Sequence, residues 1–409
     1  MLDTLTEQIR AAYVSGNPLQ IKGGGSKAFY GNATVGDILD TRVLSGIIDY
    51  QPKELVLTAR AGTSLSEIES VLAAEQQMLA FEPPHFARPH PNPDKAPSHS
   101  TDEAPSHSTR LSKNDNQVAG YKPASGQVAG YLPEGEGANV TPKSTHATLG
   151  GCIATGLSGP RRPYTGAVRD YVLGVRMIDG TGQALRFGGQ VIKNVAGYDI
   201  SRLMVGALGT LGLLTEVSLK VLPRPAAEIS LQFEMDEAAA LAAMNRWAGQ
   251  ALPLSATSWH AGLLHVRLSG AESAVKAAHA RLGGEVLHDA PAFWQRLREH
   301  RTPFFDKRPL WRVAVKSTAA PLELTDAQWI EWGGAVRWLA LPAMNDLEVV
   351  RLRELASEAG GHATMFRGNP PLNGVFTPLS PALHSIHQQL KLRFDPRGIF
   401  NRGRLYPYL

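Results

Sequence analysis

The chain has 409 residues, of which 43% are hydrophobic and 19% charged, with a formal net charge of +4. This length allows two or three domains, and the composition is that of a globular protein rather than a disordered or fibrous one. The small charge excess and its even spread argue against nucleic acid as a partner. The one cysteine, Cys152, excludes a disulfide framework and an iron–sulfur cluster on this chain.

No membrane insertion is expected from the sequence. Charged residues or glycine interrupt the apolar runs before they reach the length of a membrane span. The first ten residues, MLDTLTEQIR, contain acids where a signal peptide has a basic start and an apolar stretch. We therefore expect a cytoplasmic protein.

Up to residue 86 the sequence predicts helices that alternate with strands. Residues 3–15 have the apolar spacing of an amphipathic helix. Residues 64–77 predict a second helix, which Ser64 and Glu67 begin with capping-box spacing. The predicted strands are LQIK (19–22), GIIDY (46–50) and ELVLTA (54–59).

Residues 87–146 have a different composition, dominated by Pro, Ser, His, Asn and Lys. APSHST occurs at positions 96 and 104, and QVAGY occurs at 117 and 127. Few apolar residues are present to offset the entropy of ordering, so we expect a low-complexity, disordered insertion. Its histidines lack acidic or cysteine partners at ligand spacing and are not interpreted as a metal site.

Dense structure resumes after the insertion and is divided near Pro225. YVLGVRMI (171–178) and LLTEVSLKVLP (213–223) predict strands before this boundary. Beyond it, strands that alternate with helices at 236–248 and 271–282 predict an α+β domain. The final predicted helix is stopped by Pro396, and a basic, aromatic tail follows it.

The stretch IKGGGSKAFYG (21–31) has the composition of a phosphate-binding loop. It is not a Walker loop, because Lys27 follows Ser26 and precedes Ala28. Gly23, Gly25 and Ala28 do satisfy the dinucleotide fingerprint G-x-G-x-x-A, with Asp49 as a candidate ribose ligand. That fingerprint needs a helix directly after the loop, and residues 29–46 lack a continuous apolar stripe. A nicotinamide-binding Rossmann domain stays open as the weaker alternative.

Two further glycine loops favour an extended dinucleotide ligand. TLGGCIATGLSG (148–159) places Gly150 and Gly151 between the hydroxyls of Thr148 and Thr155, and GALGTLG (206–212) leads into a strand. Loops whose amide groups carry no shielding side chains can hold a pyrophosphate, with Lys27 supplying positive charge. Arg161 and Arg162, and nearby Arg169, are candidates to hold a substrate carboxylate or a phosphate.

These motifs together resemble one family. IKGGGSKAFYG, ATLGGCIATGLSG and KNVAGYDISRLMVGALGTLGLLTEVSLKVLP occur in the order typical of the vanillyl-alcohol-oxidase-like (PCMH-type) FAD-binding family. FDPRGIFNRGRLY (394–406) is similar to the tail of its 2-hydroxy-acid-oxidising branch. The resemblance implies an α+β fold with a two-subdomain PCMH-type FAD-binding domain over residues 1–225. A smaller α+β (ferredoxin-like) cap domain is implied over 226–375, and a segment returning to the FAD domain over 376–409.

The resemblance implies FAD as the cofactor and hydride transfer from a 2-hydroxy acid, such as glycolate, to flavin N5. Lys193, Asn194 and Tyr198 match a motif that lies toward the flavin in relatives, and Lys193 and Tyr198 join Arg161 and Arg162 as catalytic candidates. The predicted cofactor-binding residues are Gly23, Gly24, Gly25, Ser26, Lys27, Thr148, Gly150, Gly151, Thr155, Gly209, Leu213 and Thr215.

One departure from the family concerns its His-rich metal-binding segment. The nearest string here, SWHAGLLHVRL (258–268), contains His260 and His265 without the intervening Asp and Asn, so no metal site is predicted. Cys152 is interpreted as a small buried hydrophobe and not as a covalent flavin link.

The resemblance also implies partners, namely a second FAD subunit and an iron–sulfur subunit in one complex. Through that complex the chain would lie at the cytoplasmic face of the inner membrane. Two functions stay open: a flavoenzyme active by itself, and a flavin-loaded subunit that relays electrons or stabilises the complex.

Overall fold

Antiparallel sheets of five and eight strands, one short antiparallel pair and one parallel pair of strands organise the chain, which a computed structural model describes over residues 1–86, 146–189, 199–322 and 328–409. The predicted insertion therefore lies outside the described residues, apart from His146. Residues 1–87 and 145–409 together form one unit.

The elements that precede Pro225 build the pair of parallel strands and the smaller sheet. In chain order they are α1 Leu2–Ser15, β1 Leu19–Lys22, β2 Asp37–Asp40, β3 Ile47–Gln51, β4 Val56–Arg60, α2 Leu65–Ala74, β5 Gln77–Met78, α3 Leu149–Thr155, α4 Arg162–Thr165, β6 Val172–Ile178, β7 Ala184–Gly188, α5 Ile200–Leu203, β8 Leu213–Lys220 and β9 Leu222–Pro223.

The elements that follow build the larger sheet and the C-terminal helix. They are β10 Ala227–Glu234, α6 Glu237–Ala248, β11 Leu254–His260, β12 Leu263–Gly270, α7 Glu272–Leu282, β13 Glu285–Val286, α8 Ala290–Arg298, β14 Leu310–Ala314, β15 Gln328–Glu331, β16 Val336–Ala340, α9 Asp346–Glu358, β17 His362–Arg367 and α10 Pro381–Phe394. Within the described ranges, no helix combines the length and apolarity that crossing a bilayer requires.

Strand β1 spans LQIK, as predicted, and pairs in parallel with β2, with Leu19 opposite Asp37. Residues 23–36 connect these two strands without a helix. A Rossmann unit requires a helix between its parallel strands, so the nicotinamide-binding alternative is wrong. Asp49, its candidate ribose ligand, lies instead on β3 in an antiparallel pair with β4.

The smaller sheet has the strand order β3-β4-β8-β6-β7. Helix α2 packs its fully buried residues Leu65, Ile68 and Leu72 into the core of this sheet. The helix begins after Ser64, whose side chain accepts a hydrogen bond from the Glu67 amide at 3.0 Å. The apolar alternation read in residues 213–223 is confirmed, because Val217, Leu219 and Val221 are all fully buried.

The larger sheet has the order β13-β10-β12-β11-β15-β16-β14-β17, and its two faces pack differently. On one face, helices α6, α7 and α9 cover an aliphatic core. On the other face, an aromatic layer that includes Trp329, Trp338 and Phe366 meets Leu157 and Leu208 from the segments near the smaller sheet. The sheet thus presents aromatic rings toward the half of the fold that precedes Pro225.

Helix α10 and the tail return to the first half of the chain, as the resemblance implied. The buried ammonium group of Lys391 donates to the carbonyl oxygens of Thr210, at 2.7 Å, and Phe400, at 3.0 Å. It also pairs with the carboxylate of Asp395 at 2.8 Å. Asp395 in turn accepts hydrogen bonds from the amides of Ile399 and Phe400. This network closes the turn after α10 and attaches it to the loop before β8.

Replacing Lys391 with methionine should strongly destabilise the protein. The substitution leaves the carboxylate of Asp395 buried without its charged partner, which typically costs about 3–5 kcal/mol. The measurement is the thermal unfolding midpoint of Lys391→Met against wild type. Lys276→Met is the control, since Lys276 forms an exposed pair with Glu272 on α7, worth about 0.3–0.5 kcal/mol. Equal, small shifts in both variants would contradict this role of Lys391.

Candidate functional site

The glycine loop after β1 passes directly against the segment that begins helix α3. A Cβ atom on Gly23 would lie 2.5 Å from Oγ1 of Thr148, and one on Gly24 would lie 1.5 Å from the carbonyl oxygen of His146. Neither position can therefore carry a side chain unless the two segments separate. The first two predicted glycine loops meet here, on either side of one cleft.

The loop amides are suited to an anion. The backbone N–H groups of Gly24, Gly25, Ser26 and Lys27 donate to no acceptor among the residues that the structure describes. Gly25 has a φ of 76°, the left-handed conformation that glycine adopts without strain. Consecutive unpaired amides around such a residue form a concave anion-binding site.

Lys27 adds a buried positive charge beside these amides. Its side chain lines the cleft, the residue is only 7% exposed, and no carboxylate in the described part of the chain lies within 4.0 Å of its ammonium group. Burial lowers its pKa, while the opposite charges that Cys152 and Glu299 can carry oppose this effect. An anionic ligand in the cleft would compensate the buried ammonium group.

The second loop is organised by the start of helix α3. Oγ1 of Thr148 accepts from the amide of Gly151 at 3.3 Å, and Gly150 donates its amide to the carbonyl of Ala61 at 2.6 Å. The hydroxyl of Thr155 donates to the carbonyl of Gly151 at 2.8 Å. All four predicted residues of this loop line the cleft, and both hydroxyls make hydrogen bonds within α3.

The third loop meets the C-terminal tail. Gly209 lines the cleft at a φ of 71°, and a Cβ there would lie 2.6 Å from Nδ2 of Asn401. That amide donates to the carbonyl of Leu208 at 2.6 Å, while Oδ1 of Asn401 accepts from the Ile21 amide at 2.8 Å. Asn401 therefore connects β1 to the third loop.

Two of the predicted cofactor-binding residues lie behind the cleft. Leu213 is fully buried in the core with α1, and Thr215 is buried in β8. Their neighbours Gly212 and Leu214 line the cleft instead. Side chains alternate along a strand, so these positions belong to opposite faces.

Two residues that line the cleft, Asn401 and Arg404, were not assigned from the sequence. The guanidinium of Arg404 donates to the carbonyl oxygens of Asn32, at 3.0 Å, and Ala28, at 2.7 Å. It thus braces the chain just after the glycine loop. The signal was present in the basic motif FDPRGIFNRGRLY, whose side chains the sequence alone could not place in the cleft.

The assembled cleft fits a large dianion. It encloses about 1180 Å³ of empty space, part of it open to solvent. Its described lining includes Lys22, Lys27 and Arg404 and contains no Asp or Glu. A positive, glycine-walled cleft of this size suits a dinucleotide with a pyrophosphate, and the residues present fit FAD.

Arg161 lies outside this cleft, in an ion network between the two sheets. Its guanidinium donates to Glu82 at 3.2 Å and to Glu228, on β10, at 2.7 Å. Arg267 on β12 pairs with the same Glu82 at 2.8 Å, and these two guanidiniums hold the pKa of Glu82 below its usual value despite burial. The network joins the segment after β5 to the larger sheet.

Arg162, another catalytic candidate, is also absent from the described lining of the cleft. The guanidinium of Arg162 lies 4.4 Å from the ring centroid of Trp332, a cation–π contact. Lys193, Asn194 and Tyr198 lie outside the described residues. The four catalytic candidates therefore stay a prediction.

His260 and His265 both have structural partners. His260 is stacked on Trp329, with centroids 4.4 Å apart, and its Nδ1 lies 2.8 Å from the carbonyl oxygen of Gln328. Nε2 of His265 lies 3.1 Å from Oε1 of Gln232. No group of metal-binding side chains occurs within residues 1–86, 146–189, 199–322 and 328–409.

Cys152 is fully buried in α3. Burial raises the pKa of its thiol to about 12. Because the thiolate is the nucleophilic form, a thiol with this pKa is poorly suited to forming a covalent flavin link at neutral pH.

A second, smaller cavity lies under the aromatic face of the larger sheet. The space open to the centre of a water molecule is about 30 Å³, and the cavity is bordered by Phe86, His300, Arg312, Glu331, Trp332 and Trp338. Glu331 on β15 accepts a hydrogen bond from the indole of Trp338 at 2.7 Å. Burial raises the pKa of Glu331 to about 7, against the opposing effects of that hydrogen bond and of Arg312.

A protein family and a solved structure share this fold. Residues 2–88 and 125–188 match a family described as FAD binding domain. A solved structure of alkyldihydroxyacetonephosphate synthase superposes with a TM-score of 0.60 over 98% of this chain and 75% of its own, at 14% identity. The fold and the cleft therefore define a PCMH-type protein with an FAD-binding domain.

Sequence comparison gives the family. The glycolate oxidase subunit GlcE of Escherichia coli strain K12 is 43% identical over 99% of this chain and 97% of its own length. The chain belongs to the family of this subunit. Local matches of 44% identity to the glycolate oxidase subunit GlcD of Bacillus subtilis strain 168, and 42% to a D-lactate dehydrogenase of Anaerostipes hadrus, cover 17% and 19% of those proteins.

Replacing Gly24 with alanine should abolish FAD retention. The added methyl group collides with the His146 carbonyl and separates the two loops, so we expect at least a tenfold lower ratio of FAD to folded protein. The measurement is flavin absorbance of the purified variant, with circular dichroism to confirm folding. Gly249→Ala is the control. Gly249 ends α6 at a φ of −79°, and a Cβ added there would lie 3.7 Å from its nearest neighbour, the carbonyl oxygen of Arg246. Full flavin content in Gly24→Ala would refute the proposed steric role.

Glu331 should make stability depend on pH. A carboxyl whose pKa rises from 4.5 to about 7 on folding favours the native state below pH 4.5. This stabilisation amounts to about 3 kcal/mol in the limit, and it is lost as the pH rises from 4.5 through 7. Glu331→Gln keeps the acceptor for Trp338 but cannot ionise, so its unfolding midpoint relative to wild type should be higher at pH 8 than at pH 5. Glu285→Gln, on exposed β13, should show the same difference at both pH values.

Proposed function

We propose that this chain is the FAD-binding subunit of a glycolate-oxidising complex, which oxidises a small 2-hydroxy acid to the 2-oxo acid. The observation that carries the proposal is the positive cleft formed by three glycine loops, in a chain similar to GlcE from end to end. FAD supplies the redox chemistry by accepting a hydride at flavin N5.

The residues of the cleft bind and orient this cofactor. The amides of Gly24 to Lys27 and the turn at Gly150 and Gly151 are assigned to the pyrophosphate. Lys27 neutralises charge, and Asn401 and Arg404 hold the loops at fixed spacing from the tail. Rigid support of this kind places the reactive end of a cofactor without further reorganisation.

One observation favours a second candidate, a flavin-loaded subunit whose activity depends on partners. Arg161 is already paired with two carboxylates, Glu82 and Glu228, which leaves it poorly placed to bind a substrate carboxylate. His260 and His265 likewise have partners within the larger sheet. In this alternative the chain relays electrons or stabilises the complex.

The proposed partners are a second FAD subunit and an iron–sulfur subunit. The names of GlcE and GlcD, both subunits of glycolate oxidase, support the first. A chain with one buried cysteine cannot bind a cluster by itself, which supports the second. The complex would place the chain at the cytoplasmic face of the inner membrane.

The test is the visible spectrum of the chain purified alone, recorded before and after anaerobic addition of glycolate. Flavin bands that bleach with glycolate establish a self-sufficient dehydrogenase. Bands that bleach only after the partner subunits are added establish the dependent subunit. A folded protein with no flavin bands, alone or with partners, would refute the proposal.

A further inference from the structure

The smaller cavity contains a guanidinium without an anionic partner. Arg312 lies in the middle of β14 and faces the aromatic layer, with its guanidinium 4.8 Å from the centroid of Trp332 and 5.9 Å from that of Trp338. Among the described residues, no side chain or carbonyl group lies within hydrogen-bond or ion-pair distance of this guanidinium. Burial lowers its pKa, yet an arginine stays protonated in proteins.

Two other arginines of the same sheet, Arg267 and Arg337, are almost fully buried and pair with carboxylates, whereas the half-buried Arg312 has no such partner among the described residues. Arg267 pairs with Glu82 at 2.8 Å. Arg337 pairs with Glu237 at 3.2 Å and donates to the carbonyls of Gly334 and Ala319. A charge removed from water is costly unless it is paired. Arg312 therefore has the electrostatic environment of a residue that binds an anion from outside the chain.

The nearby carboxyl group does not supply that anion. Glu331 faces the same cavity, but its pKa of about 7 leaves it largely protonated below neutral pH. A protonated carboxyl can donate a hydrogen bond to a ligand. A second guanidinium, that of Arg162, lies over Trp332 and adds positive charge.

His300 provides a second polar group without a partner. The residue is 8% exposed, and its Nδ1 has no hydrogen-bond partner in the described part of the protein. Its ring is stacked on Phe305, with centroids 4.0 Å apart, and its φ of 51° is rare for a residue with a side chain. Burial, Arg367 and Arg312 hold the pKa of His300 well below its usual value, so the ring is neutral. A neutral imidazole can exchange a hydrogen bond with a hydroxyl or carboxyl group.

We propose that this cavity binds a small organic carboxylate, with Arg312 holding the carboxylate group and His300 and Glu331 binding its other polar atoms. Rings of Phe86, Trp332 and Trp338 form the walls. Such walls favour a weakly hydrated organic carboxylate with a short carbon chain over sulfate or phosphate, which lose more hydration on entering.

The cavity lies one aromatic ring away from the dinucleotide cleft. Phe86 borders the cavity, and its ring centroid is 6.0 Å from the ammonium group of Lys27, which lines the cleft. A carboxylate bound at Arg312 is thus close to the cofactor side of the fold. The inference rests on the proposed function in one respect, because glycolate is a carboxylate of this kind.

The experiment is a calorimetric titration of the FAD-loaded protein with acetate, at constant ionic strength. Acetate has no hydroxyl group to oxidise, so binding is measured separately from turnover. We expect saturable binding at one site, weakened at least tenfold in Arg312→Met and partly restored in Arg312→Lys. Arg312→Met removes a charge without a partner, so its unfolding midpoint should not fall.

Arg246→Met is the matched control. Arg246 lies on α6 with its guanidinium 5.9 Å from the centroid of Trp247, so the control also removes an arginine from a tryptophan face. It should leave acetate binding unchanged. No saturable binding by wild type, equal binding by Arg312→Met, or sulfate binding as tightly as acetate would overturn the proposal. Failure of glycolate to bleach the flavin even after the partner subunits are added, with acetate binding intact, would refute the proposed function and leave this inference standing.

Discussion

The cofactor cleft depends on the close contact of residues 23–24 with residues 146–148, which is possible because the glycine loop carries no side chain there. Thr148 Oγ1 and the His146 carbonyl occupy the space that a Cβ on Gly23 or Gly24 would need. This contact brings two glycine loops that are more than 120 residues apart in sequence to one ligand-sized cleft. Because the loops carry little side-chain bulk, their amides stay open for an anion. The same openness makes the site sensitive to a single methyl group.

The C-terminal segment stabilises that arrangement from the opposite side. Asn401 bonds both to β1 and to the third loop, and Arg404 bonds to the chain that follows the glycine loop. The buried pair of Lys391 and Asp395 fixes the turn from which these residues extend. The last residues of the chain therefore contribute to a site that begins with its first strand. Folding of the cleft requires both ends of the chain to be in place.

Arginines at the larger sheet differ in whether they pair with a carboxylate. Arg161 and Arg267 share Glu82 and Glu228 at the junction of the two sheets, where each charge has a partner. Such a network joins the two halves and leaves no charge for a ligand. Arg312 lies on the aromatic face of the same sheet without a partner in the described residues. This contrast separates a structural network of buried guanidiniums from a candidate binding site around the half-buried guanidinium of Arg312.

The sequence by itself determined the local elements and the chemistry of the loops. β1, α2 and the strand before Pro223 follow from apolar spacing and from Ser64, which are local signals, and the three loops follow from runs of glycine. It did not reveal β17, which pairs with the distant strand β14, nor β11 and β15, which pair with the strands that follow them but whose sequences LSATSWH and QWIE hold few strong strand formers. Nor could it separate Arg161 from Arg312, since both are arginines in ordinary contexts. Only the tertiary structure decided that Arg161 meets two carboxylates and that Arg312 meets none among the residues described. It also decided that Asn401 and Arg404 border the cleft, because long-range packing sets which side chains meet.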